Sequence, residues 1–321
     1  MAMQRLAFAL AMMCVHPLAG AWAQPAWPTR SVKLIVPFVP GGPPDQAARI
    51  IGQQLQDKWG QPVIVENRPG GAGNIGAATV ARSEADGYTV LVSSSAFPVN
   101  LTLFERPGYT LQEFQTVAVP VVTPNVFVAW PGLNQKTLPD FLNAAKTENF
   151  AYASPGIGTT PHLSAELTFR VINKLDIRHV PFGGGPPVAL AVSSGQLPVG
   201  VVAIPSVLAQ IKSGALIALA STTARRLPEL PDVPTVGETG AGDVEAVTSV
   251  GFYLPARTPA DIAMKINRDI NEIVSSGALD KVFAAAGFTP MALDQTQAQT
   301  YIEDEMKKWG AVIKATGLKA E

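Results

Sequence analysis

The chain is poor in the residues that most often carry chemistry. It has one cysteine and three histidines in 321 residues, and only 15% of it is charged. The cysteine, Cys14, falls in an N-terminal stretch that reads as an export signal. Arg5 supplies the positive region, Leu6 to Val15 the apolar run, and Ala21-Trp22-Ala23 before Gln24 the small-x-small cleavage site. The run is too short to anchor the chain across a bilayer. Cleavage after Ala23 would remove Cys14, His16 and Arg5, so the mature chain has no disulfide framework, thiolate nucleophile or cysteine-type zinc site. It would carry 23 basic residues (24 less Arg5) against 25 acidic ones, with no basic cluster to meet nucleic acid or an anionic membrane surface. His162 and His179 lie 17 residues apart with no spaced carboxylates around them, so neither a metal nor a cofactor is expected. There is no GxSxG elbow, no Walker loop and no evident pair of catalytic carboxylates, which speaks against an enzyme.

What the chain has is apolar residues, at 47%, and a length suited to two domains. Strand-like and helix-like segments alternate, which predicts an α/β fold with largely parallel sheets and crossover helices. The leading unit is Val32 to Arg49. Val32, Leu34, Ile35, Val36 and Phe38 form a buried strand, Gly41-Gly42-Pro43-Pro44 a turn, and a helix follows to about Lys58. Such a turn leaves backbone N–H groups pointing at one spot, a natural anion site. Small-residue turns between strand and helix recur at Ser93-Ser94-Ser95, Thr159-Thr160-Pro161 and Gly184-Gly185-Pro186. Thr160 suits an N-cap with Pro161 at the first helical position. None of these turns contains Lys or Arg, so a bound anion would be met by N–H and hydroxyl dipoles. Asp45, in the first turn of its helix, either favours the helix N-terminus or contacts a ligand. Gly71-Ala72-Gly73-Asn74-Ile75-Gly76 spells GxGxxG, but it follows the second strand and lacks an acidic residue about 20 positions on, so it reads as a structural turn. Two strands are expected at Val117–Val122 and Asn125–Trp130.

The chain resembles the Bug-type periplasmic solute receptors of tripartite tricarboxylate transporters. The shared stretches include Val36-Pro37-Phe38-Val39-Pro40-Gly41-Gly42 with Asp45, Ala48 and Arg49; Glu66-Asn67-Arg68-Pro69-Gly70; Asp86-Gly87-Tyr88-Thr89; Gly156 with Gly158-Thr159 and His162; His179-Val180-Pro181-Phe182; and Leu230-Pro231-Asp232-Val233-Pro234-Thr235. The resemblance implies a two-lobed, type II binding-protein fold with a ligand cleft between lobes. Lobe one would comprise 24–122 plus 250–321 and lobe two 123–249. It further implies a monomeric periplasmic receptor that closes on a small carboxylate and docks on membrane permease subunits. The ligand-binding residues would be Phe38, Gly41, Gly42, Asp45, Ser93, Ser94, Ser95, Gly158, Thr159, Thr160, Pro181, Phe182 and Gly183. A ligand-sensing partner of a signalling receptor and a secreted α/β enzyme are the alternatives. Phe182-Gly183-Gly184 stands where the family usually has Tyr-Lys-Gly, Ala191 and Pro198 replace common aspartates, and Asn100-Leu101 replaces Asn-Pro. These departures point to a ligand less polar than citrate, an aromatic or short aliphatic carboxylate.

Overall fold

The computed structural model describes residues 27–320, so the expected export signal lies outside the described residues. The chain begins as the alternation predicts. Strand β1 (Val32–Val36) buries every residue except Lys33 and runs parallel to β2 (Val63–Asn67) and β3 (Thr89–Ser94). Helix α1 (Pro43–Trp59) covers them, with Ala47, Ala48, Ile51 and Leu55 on one buried face. Each large aliphatic side chain so buried contributes about 1.5–3 kcal/mol. Gly52 lets this helix lie close, because a Cβ there would stand 3.2 Å from Leu34 Cδ1. Gly60, at φ 62°, closes α1 in the left-handed conformation. The GxGxxG segment is a turn leading into α2 (Asn74–Ala81), and β3 feeds directly into α3 (Ala96–Leu103).

The two strands expected at 117–130 are one, β4 (Phe114–Ala129). Pro120 and Pro124 inside the run suggest a break, since proline cannot donate to a ladder. The structure accommodates them at an irregularity: pairing with β9 (Val247–Pro255) shifts register between Ala118 and Val121, and Pro120 O accepts from Met291 N. At about 3.3 Å per residue a strand this long spans both halves of the molecule.

Beyond β4 come α4 (Leu138–Ala144), β5 (Ala151–Ser154), α5 (Thr160–Glu166), β6 (Arg178–Pro181), α6 (Gly185–Ser193), β7 (Val199–Ala203), α7 (Leu208–Lys212) and β8 (Ile217–Ser221). A π-helical turn, Leu167–Ile172, continues α5. After β9, the C-terminal part is α8 (Ala260–Ser275), α9 (Asp280–Ala286), the short β10 (Thr289–Pro290) and α10 (Gln295–Thr316). Strand order is β2-β1-β3-β9-β4-β7-β5-β6, with β8 and β10 also on β4. Parallel pairing holds among β1, β2 and β3 and again among β5, β6 and β7. β9 and β4 run antiparallel to their neighbours and join the two sets.

Each set has its own core on both sheet faces. Leu34, Ile51, Phe252 and Phe283 belong to one cluster of the first half, and Ile35, Phe97, Tyr253 and Ile302 to the other. In the second half the alternation along β4 sends Phe127 to one cluster with Phe141 and Phe169, and Val126 and Val128 to the opposite one with Val188 and Ile204. A further cluster binds the halves, with Trp309 and Ile313 of α10 meeting Leu103 of α3 and Leu163 of α5.

Candidate functional site

Two segments of nearly the same sequence end β1 and β6. Val36-Pro37-Phe38 leads to Gly41-Gly42-Pro43-Pro44 at the start of α1; Val180-Pro181-Phe182 leads to Gly184-Gly185-Pro186-Pro187 at the start of α6. They form two facing lips. A Cβ on Gly41 would stand 3.2 Å from Pro186 Cγ, and one on Gly184 2.6 Å from Val39 Cγ2. Gln46 Nε2 ties the first lip to the turn after β7 by donating to Gly41 O at 2.8 Å and to Pro205 O at 3.0 Å.

Behind the lips lies a cavity of about 30 Å³. Of the residues expected at the site, Phe38, Gly42, Ser94, Thr159 and Thr160 line it, brought together from both halves. Sequence reasoning missed Ser206 and Thr248, which also line it. Ser206 Oγ is buried without a partner. Thr248 Oγ1 donates to Asn125 Oδ1 at 2.7 Å, so its contact with Thr160 Oγ1 at 2.5 Å takes the Thr160 proton. Thr159 Oγ1 donates to Gly156 O. Ser94 Oγ accepts from Ala96 N and keeps its proton. Pro181, Phe182 and Gly183 line an adjoining groove of about 300 Å³, which shares Phe38 and Pro155 with the cavity.

Gly41, Asp45, Ser93, Ser95 and Gly158 do not line the cavity. Ser94 faces it from the end of β3. Ser93 lies within the β3–β9 pairing, and Ser95 N donates to Ser249 O. Gly158 (φ 78°) lets the 155–160 loop approach Asn100, whose Oδ1 a Cβ would meet at 2.5 Å. The turn after β1 offers fewer N–H groups than its sequence suggests. Pro43 and Pro44 have none, and Gly41 N donates to Asp45 Oδ2 at 2.9 Å. Asp45 thus occupies its own helix N-terminus, and Arg49 Nη2 and Asn67 Nδ2 each donate to Oδ1 at 2.9 Å.

Burial is the largest influence on Asp45 and raises its pKa. The hydrogen bonds from Arg49, Gly41 and Asn67 together outweigh it, and the carboxyl sits below its ordinary value. A depressed folded-state pKa gives stability that is present above the unfolded value and lost as pH falls through the folded one. Asp45→Asn should therefore lower stability by about 1.5–3 kcal/mol at pH 7, the range for hydrogen bonds to a charged group. The gap to wild type should narrow below pH 4, which urea titrations at pH 7 and pH 3 would reveal.

Gly185 and Ser206 provide a packing test of the cavity wall. A Cβ on Gly185 would fall on Ser206 Oγ and stand 2.5 Å from Ser206 Cβ. Gly185→Ala should destabilise by about 1–3 kcal/mol as overpacking does. In a Ser206→Gly background the same change should cost much less, a non-additivity that four denaturant curves would measure.

The structure also joins the two histidines. Because β6 pairs with β5, and α5 follows β5, the rings of His162 and His179 stack at 4.1 Å. His179 Nε2 lies 2.7 Å from Ser154 Oγ, and Gly158 N donates to His162 Nδ1 at 3.2 Å. The pair thus underlies the loop that carries Thr159 and Thr160. Among the described residues no group of three or more His, Cys, Asp or Glu side chains could hold a metal ion, and no helix is long and apolar enough to cross a membrane.

Comparison with known proteins finds relatives that span nearly the whole chain. BugT of Bordetella pertussis is 35% identical over 307 residues, covering 94% of this chain and 94% of the relative. The structure of Rpa4515 from R. palustris with adipate superposes with a TM-score of 0.88 at 29% identity, covering 91% of this chain and 99% of that one. MatC of Rhodopseudomonas palustris with bound malate gives 0.84 at 26% identity, covering 89% and 100%. The family model described as the tripartite tricarboxylate transporter family receptor matches residues 47–318, and the chain belongs to that family of periplasmic binding proteins.

Proposed function

We propose that the chain is a receptor that captures a small carboxylate between its lips and hands it to the permease subunits of a tripartite tricarboxylate-type transporter. One observation carries this reading: matching strand–turn–helix lips from the two halves close on a cavity whose mainly apolar wall includes the hydroxyl residues Ser94, Thr159, Thr160, Ser206 and Thr248 and no basic side chain. In the relatives with adipate and malate a carboxylate is the bound species. The chain works as a monomer in the periplasm, after cleavage behind Ala23. Lobe one is 24–122 plus 250–321 and lobe two 123–249, with β4 and β9 crossing between them. The lips part about these two strands to admit the ligand, since 30 Å³ has room for little more than a water or two.

Differential scanning fluorimetry against a panel of organic acids tests the reading. A ligand at about 100 times its dissociation constant adds roughly 2.7 kcal/mol, a rise of several degrees in Tm for a chain of this size. A panel in which no acid moves the Tm, or in which proton NMR shows an acid being turned over, would refute it.

A further inference from the structure

We propose that the ligand is an amphipathic monocarboxylate: its single carboxylate occupies the hydroxyl-lined cavity, and its apolar tail, a ring or a chain of about five carbons, passes Phe38 into the adjoining groove. This rests on the receptor reading above and adds the division of the site into an anionic end and an apolar end.

The cavity has donors for one carboxylate. Its side-chain protons not already given away are those of Ser94 and Ser206. Ser206 is only 7% exposed, lines the cavity and has no partner, an arrangement that awaits an acceptor. Gly42, Thr160, Gly184 and Gly185 line the cavity with main-chain N–H groups to offer, while Pro43, Pro44, Pro155 and Pro161 contribute none. The Thr159, Thr160 and Thr248 protons are committed within the protein. A carboxylate accepts at about four lone-pair sites. These six donors, two hydroxyls and four N–H groups, suit one such group and fall short of the roughly eight that two would require. No Lys, Arg or His lines the cavity or the groove to make up the difference.

The groove differs from the cavity in its side chains: it has no hydroxyl, and its polar atoms belong to the main chain of Gly70–Gly73, Gly156 and Gly183. Pro37, Phe38, Phe104, Ile157, Pro181 and Phe182 supply its side-chain walls, and no lining side chain carries a polar atom. It is about tenfold larger than the cavity, 300 against 30 Å³. A second carboxylate placed there would find no hydroxyl and no basic side chain, only main-chain groups, and would lose more of its hydration uncompensated than one in the cavity. A methylene chain or a ring gains about 0.8 kcal/mol per buried CH₂ in the same place.

Hexanoate and adipate isolate the question, because they share a six-carbon backbone and differ in the second carboxylate. Calorimetric titration of the mature chain should show hexanoate and phenylacetate binding at least tenfold more tightly than adipate. Phe182→Arg puts a cation in the groove at a half-exposed position and should reverse the hexanoate-to-adipate ratio, with a thermal melt confirming that the variant is folded. Tighter binding of adipate than of hexanoate to the wild-type chain would overturn the inference and leave the receptor reading standing. Binding of none of these acids, nor of malate or citrate, would overturn both.

Discussion

Gly42→Asp should leave the chain folded and reduce affinity for any carboxylate at least a hundredfold. Gly42 has φ −82° and ψ 172°, extended backbone open to every residue, and a Cβ there meets nothing within 4 Å. The substitution therefore neither strains the turn nor displaces a neighbour. Its side chain would project at the cavity wall, where a second carboxylate would face the ligand's own across a few ångströms, with no basic side chain in the lining to separate them. Like charges brought together out of water are strongly disfavoured, and an unpaired buried charge costs about 3–5 kcal/mol. Gly42→Asn separates charge from bulk: it is nearly isosteric, keeps the N–H and adds no charge, so it should lose less than a tenth as much affinity as the aspartate variant does. Titration of both variants with the same acid, alongside their melting curves without ligand, checks the pair of expectations. Wild-type affinity in Gly42→Asp would mean that the ligand binds elsewhere.

The parts of this site that are visible in the sequence are those set by local chemistry. A buried strand followed by glycine, proline or hydroxyl residues and then a helix predicts a βα turn, and Phe38, Gly42, Ser94, Thr159 and Thr160 all reach the cavity through such turns. Thr159, not Thr160, proves to be the N-cap of α5, one position from the expected place. What stayed hidden depends on contacts between distant segments. Thr248 meets Thr160 from 88 residues away, through a strand whose role is to pair with β4. Ser206 follows β7 in a short 3-10 turn with no sequence mark of a ligand contact. Asp45 is a residue whose two readings the sequence alone leaves open. Its position suits both a ligand contact and a helix-end contact, and the structure shows the helix-end contact, with Gly41 N and with Arg49 one turn further along α1. The prolines of β4 hid a continuous strand because the bulge that absorbs Pro120 exists only with β9 and β10 in place.

The stacked histidines lead to the second large effect, an acid limit set where α5 meets β6. Burial, then the neighbouring His179 and Arg170, hold His162 well below its ordinary pKa of 6.5. Burial lowers His179 to about 4. Both rings are neutral in the folded chain at pH 7, whereas in the unfolded chain they protonate near 6.5. Between pH 6.5 and 4 the unfolded state binds more protons, so stability falls as pH falls. For His179 alone the difference of 6.5 − 4, or 2.5, corresponds to about 3 kcal/mol by pH 4, less what its partial exposure screens. Geometry says where the damage starts. His162 Nδ1 accepts from Gly158 N, so a proton on Nδ1 would set two donors against each other beneath the loop that carries Thr159 and Thr160. Glu166 Oε1, 4.0 Å from His162 Nε2, already accepts from Tyr152 OH, and Glu166 Oε2 lies 3.3 Å from Arg170 Nε, which limits what this carboxylate can offer an imidazolium. Elsewhere, Glu305 has a raised pKa, mainly from burial, and shifts stability the opposite way; comparison with a variant cancels that contribution. His179→Gln keeps a partner for Ser154 and removes one titration. Urea titrations from pH 7 to pH 4.5 should show wild type losing roughly 2 kcal/mol more than His179→Gln, and ligand affinity should weaken over the same interval. Parallel stability profiles for the two proteins would mean that the imidazoles reach water in the native state and that the acid limit lies elsewhere.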